Sequence, residues 1–299
     1  MKAQQNMISS VRRIFTARAT GLAALGLAGL LAGCALFHPP PFKGVAGVQL
    51  YSVRAQLDKD VPGTLAEVRN WGVRFVELAG TYGLPPKVFK EKLDAAGLDP
   101  VSGHFSFEEW SKDPAAVLNE ATDLGLVYVG CAWIPHNDPF DEAACRKAID
   151  VFNRAGDLAA RRHMHFFYHT HGYEFQPSGK GTLFDLLVQR TNPENVKFEM
   201  DIFWIVHAGQ DPVKLLGEYP GRWELLHVKD MRKGTPTGLL TGHSDVTNDV
   251  AMGTGMLDLP AILRAAQNVG VKWYFIEDES PDSEQQIPES LRYLDTLRN

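Results

Sequence analysis

Three cysteines in 299 residues are too few for a disulfide framework, so the fold must rest on an apolar core. A basic excess is missing too. Lys and Arg number 30 against 36 Asp and Glu, which argues against a nucleic-acid binder with its basic stripe. The uncharged run Ala19–Gly33 has 15 residues, short of the ~20 that span a bilayer. Internal repeats and low-complexity segments are absent from the rest of the chain. No Gly-rich phosphate loop follows Gln49-Leu50-Tyr51, where a dinucleotide-binding sheet would carry one. Apolar residues, in contrast, make up 44% of the chain, ample for a full core.

Charge is spread unevenly. Residues 1–33 hold Lys2, Arg12, Arg13 and Arg18 and no acid, ahead of the short apolar run, as in an export signal. Leu31-Ala32-Gly33-Cys34 resembles a bacterial lipobox, which implies cleavage before Cys34 and lipidation of its thiol. Arg12-Arg13-Ile14-Phe15 resembles the twin-arginine export motif, although Val11 and Thr16 depart from its pattern and the general secretory route stays open. Ala35 in place of Asp points to the outer membrane in a host with two membranes. The expected organisation is a signal peptide over 1–33, a lipidated tether over 34–46 and one domain over 47–299. Membrane contact is then through the lipid alone. Without the signal, 26 basic residues face 36 acidic ones.

From Gly47 onward, short β-branched or aromatic runs alternate eight times with amphipathic stretches. The fifth strand is expected over His165–His171 and the sixth over Val196–Phe203. Asp113-Pro114 and Asp211-Pro212 set a capping acid before a first-turn proline, and Gly72, Gly97, Gly125 and Gly270 are expected to end helices. Eight such units in about 250 residues predict a (β/α)8 TIM barrel, an α/β fold, as a single domain.

In a barrel, chemistry belongs at the C-terminal strand ends. Those ends carry Glu77, His104, Trp133 and His136, His169 and His171 with Glu174, Asp201, His227 with Lys229, and the run Glu277-Asp278-Glu279. Acids converging on one rim repel one another, and a bound divalent cation removes that cost.

His169-Thr170-His171-Gly172-Tyr173-Glu174-Phe175, Glu199-Met200-Asp201-Ile202-Phe203-Trp204 and Leu226-His227-Val228-Lys229-Asp230 resemble the xylose isomerase-like sugar phosphate isomerase/epimerase family. The resemblance covers 47–299. It implies one divalent metal held by Glu174, Asp201, His227 and Glu277, with Asp278 and Glu279 as alternatives to the last. Three carboxylates and one imidazole favour Mn²⁺ or Mg²⁺ and admit Co²⁺ and Zn²⁺. The resemblance also implies that Glu174 and Glu277 work as the acid/base pair on opposite sides of the substrate carbon. The metal, as Lewis acid, would stabilise the ene-diolate left by proton loss next to a carbonyl. Glu77, His104, Trp133, His171 and Lys229 are candidates for substrate binding. His169 is a candidate for orienting a ligand.

The long segment Met231–Met256 carries only Arg232 and Lys233 as basic residues and offers no clear phosphate cup. An unphosphorylated sugar or a 3-keto-glycoside is therefore the expected substrate. The leading expectation is a sugar isomerase or epimerase. A 3-keto-glycoside lyase and a non-catalytic sugar-binding lipoprotein are the alternatives.

Overall fold

The computed structural model describes residues 42–298; the expected signal and all but the end of the tether lie outside them. Eight parallel strands close into a barrel: β1 (Val45–Gln49), β2 (Phe75–Leu78), β3 (Asp99–His104), β4 (Tyr128–Cys131), β5 (His165–His169), β6 (Val196–Asp201), β7 (Trp223–Val228) and β8 (Trp273–Ile276). Each strand pairs with the next, and β8 returns to β1 with Val45 beside Trp273 and Val48 beside Ile276. The expected (β/α)8 barrel is the fold.

Helices between the strands include Pro86–Ala96, Pro114–Leu124, Leu183–Arg190 and Leu259–Val269. Their ends have the anticipated causes. Asp113 accepts the amide of Ala116 ahead of Pro114, and the left-handed Gly97, Gly125 and Gly270 stop three of them. Two short helices, Arg54–Leu57 and Phe107–Lys112, follow β1 and β3 without having been anticipated.

The main differences are at the rim. β6 stops at Asp201 rather than Phe203, because the Asp201 carboxylate accepts the amides of Phe203 (2.8 Å) and Trp204 (3.1 Å) and starts helix Ile202–His207. β5 stops at His169 rather than His171. Gly172, at φ +87°, turns the chain into a single 3-10 turn over Tyr173–Phe175.

Inside the barrel, side chains alternate along each strand and stack in layers. Val101, Phe167, Leu225 and Phe275 form an apolar plug. One alternation further, His169, His227 and Glu277 join Glu77 and Glu199 in a buried polar layer. The plug seals the bottom, so chemistry is open only from the rim.

Candidate metal centre

Above the plug lies a cavity of about 660 Å³. Its polar lining includes His104, His169, His171, His227, Glu277 and Glu279, with Glu108 also on its wall; Phe105, Phe107, Trp133 and Trp204 line it elsewhere. None of its lining residues is Lys or Arg.

Two groups of metal-capable atoms, each within 4.8 Å of one another, share His227. One is Asp201, His227 and Glu277; the other is His104, His169, Glu199 and His227. His227 Nδ1 is 2.9 Å from Glu277 Oε2 and 3.8 Å from Asp201 Oδ2. His169 Nε2 also lies 3.8 Å from Asp201 Oδ2. That oxygen is buried and has no hydrogen bond; Lys229 Nζ, at 3.2 Å, is its nearest charged neighbour. An anionic oxygen without a hydrogen-bond partner, ringed by imidazole nitrogens and a second carboxylate, fits a divalent cation. Asp201, His227 and Glu277 would hold it, with His169 as the fourth ligand.

Charge at the site is balanced internally. Burial alone would lower the Lys229 ammonium, but Asp201, Glu277 and Glu279 outweigh it, so the group stays protonated. It is held by Glu277 at 2.7 Å and Glu279 at 2.8 Å. His227 follows the same pattern: burial disfavours its charged form, and Glu199, Glu277 and Glu77 raise it well above the usual imidazole range. His171 goes the other way, down to about 3, through burial and the nearby Lys229 charge. Glu199 is pushed up to about 7 by burial and by the charge of Glu77.

The structure brings Asp201, His227 and Glu277 together and separates Glu277 from its neighbours. Asp278 turns to accept the amide of Ser280, and Glu279 reaches Lys229. Glu174 is in neither group. After the Gly172 turn, its Oε1 accepts the hydroxyl of Tyr168 and the amide of His171 (3.0 Å). Tyr168 is on the outer face of β5, where it stacks on Phe152. His169, from the same strand, takes the position at the rim.

His104, His171 and Trp133 line the cavity, as substrate contacts require. Glu77 does not. It is fully buried below the floor and held by Gln49 and Ser102. Lys229 is likewise buried among carboxylates and does not line the cavity. Glu199, Gln49 and Ser102 had no assigned part from sequence. Glu199 was nonetheless detectable, since a strand puts residues two apart, Glu199 and Asp201, on one face.

The xylose isomerase-like TIM barrel profile matches residues 65–297. The chain belongs to this family. Among its relatives is an inosose dehydratase of Lacticaseibacillus casei, 28% identical over 260 residues, covering 76% of this chain and 86% of that one. A sugar phosphate isomerase/epimerase of Parabacteroides distasonis superposes with a TM-score of 0.70 at 25% identity, covering 86% of this chain and 96% of that one. The IolI protein, solved with a zinc atom bound, shares the fold at a TM-score of 0.65 and 16% identity, covering 84% and 97%.

Proposed function

We propose that this protein is a divalent-metal-dependent enzyme that removes a proton next to a carbonyl of a small, unphosphorylated, sugar-like substrate. The observation that carries the reading is the cavity itself. Asp201, His227 and Glu277 meet at its floor, aromatic rings line it, and no Lys or Arg faces it to receive a phosphate. Bound by these residues, the metal would supply Lewis acidity that makes the C–H next to the carbonyl more acidic. Two imidazoles and two carboxylates suit Zn²⁺ or Co²⁺ as well as Mn²⁺, which widens the choice drawn from three carboxylates and one imidazole.

Elimination is the outcome that the geometry favours. An epimerase needs a second acid/base on the far side of the carbon, and Glu174, expected there, is turned toward Tyr168. Three carboxylates line the cavity: Glu277 and Glu279 on the β8 side, and the exposed Glu108 beyond β3. Glu277 or Glu279, beside the metal-capable group, would take the proton. His104, which lines the cavity and which Glu77 and Glu199 keep protonated against the effect of burial, would protonate the leaving oxygen, giving water or an alcohol. The similarity to an inosose dehydratase supports this reading, and a 3-keto-glycoside losing its aglycone is the same reaction type. Isomerisation or epimerisation is the second reading, favoured by the Parabacteroides structure.

Metal-loaded protein would be incubated with cyclic keto-polyols, ketoses and 3-keto-glycosides in D₂O and followed by NMR. Loss of water or aglycone supports elimination. Deuterium incorporation without loss supports the second reading. No exchange in any substrate, with metal bound, refutes both.

Attachment through a lipid on Cys34 is also proposed, on the lipobox-like Leu31-Ala32-Gly33-Cys34. Cys34→Ser should move the protein from the membrane fraction to the soluble one; unchanged fractionation would reject the anchor.

A further inference from the structure

Register shifts occur at two places in the barrel, between Val76 and Glu77 on β2 and between Phe198 and Glu199 on β6. A shift of this kind re-aims the adjacent side chain. Both times that side chain is a fully buried glutamate beneath the Asp201–His227–Glu277 group.

Each glutamate meets an imidazole. Glu77 Oε1 accepts from His227 Nε2 at 2.5 Å, and its carboxylate is held by Gln49 Nε2 at 2.7 Å and Ser102 Oγ at 2.5 Å. Glu199 Oε2 accepts from His169 Nδ1 at 2.9 Å and from His104 Nε2 at 3.0 Å. One nitrogen of each ring is thereby tied from below. The other, Nδ1 of His227 or Nε2 of His169, faces Asp201 Oδ2 at 3.8 Å, and Nδ1 of His227 also meets Glu277 Oε2, the carboxylate that would share the metal, at 2.9 Å.

We propose that Glu77 and Glu199 are positioning residues that fix the rotation and tautomer of His227 and His169, leaving the nitrogen of each ring that faces Asp201 free to bind metal. The proposal rests on the metal-centre reading above. Burying two carboxylates is expensive unless hydrogen bonds satisfy them, and the imidazoles supply those bonds where they also serve the site. A purely structural brace would cost stability when cut but would leave metal affinity and ring tautomers unchanged.

The test uses the whole protein with Zn²⁺. Long-range ¹H–¹⁵N histidine spectra of the loaded wild type should show His169 protonated on Nδ1 and His227 on Nε2. By chelator competition, folded Glu77→Gln and Glu199→Gln should bind Zn²⁺ roughly 10- to 100-fold more weakly. Ser102→Ala, which loosens Glu77 without removing it, should show a smaller loss. Opposite tautomers, or affinities within about twofold of wild type, would overturn the proposal. Should a glutamine variant fail to fold, the wild-type tautomers and Ser102→Ala decide. A wild type that binds no divalent metal overturns the metal-centre reading and this proposal together. Normal binding in all variants overturns the positioning role alone.

Discussion

Glu174 and Glu277 are both glutamates just past barrel strands, yet their surroundings give them different work. Glu277 Oε2 is 2.9 Å from His227 Nδ1 and 2.7 Å from Lys229, inside the charged group at the cavity floor. Glu174 is buried against Tyr168, and burial raises its carboxyl above the usual carboxylate range. Exchanging each for glutamine separates the roles. Glu277→Gln removes a charged ligand and should weaken metal binding at least ~10-fold, by the scale on which even outer partners act. Glu174→Gln keeps an acceptor for Tyr168 and should leave metal affinity within about threefold of wild type. Calorimetric titration with Zn²⁺ and Mn²⁺ measures both, and a large loss in Glu174→Gln would return it to the ligand set. Metal content of Asp201→Ala and His227→Ala gives a separate check, with both expected to lose the ion.

The element that decides this difference is the turn after β5. Gly172 has φ +87°, and a Cβ there would lie 2.7 Å from the Trp204 carbonyl oxygen and 2.9 Å from Ala208 Cβ. The turn therefore packs directly on helix Ile202–His207, which the Asp201 carboxylate starts. Gly172→Ala combines a left-handed backbone with overpacking and should cost about 2–4 kcal/mol. At this size that is a Tm roughly 5–15 °C lower, measured by thermal unfolding. Since the clash bears on the helix that Asp201 caps, metal affinity should fall in the same variant. An unchanged Tm would show that the turn has room to relax.

Across the whole molecule, the barrel concentrates charge at one end. Asp201, Glu277, Glu279 and Lys229 crowd above the apolar plug, where a divalent ion would add the most stability. At a metal concentration about 100 times Kd, mass action contributes ~2.7 kcal/mol. Saturating metal should thus raise Tm by roughly 5–10 °C, and chelation should reverse the shift and abolish activity. Scanning fluorimetry with Mg²⁺, Mn²⁺, Co²⁺ and Zn²⁺ ranks the ions, and a flat Tm across all four would count against the metal centre.

The order of amino acids determined the eightfold alternation, the helix ends at Asp113-Pro114, Gly97, Gly125 and Gly270, and the arrival of Asp201, His227 and Glu277 at one rim. All of these depend on local capping or on strand periodicity, which a linear sequence carries. Tertiary structure decided which acids come together at the cavity floor. His227 reaches Glu77 across 150 positions only because the barrel closes, and register shifts at Glu77 and Glu199 aim both inward. The turn at Gly172 sends Glu174 behind β5 and leaves His169 at the rim. Distances between strands, and the side of a turn on which a carboxylate falls, are fixed by packing, so spacing along the chain could not contain them.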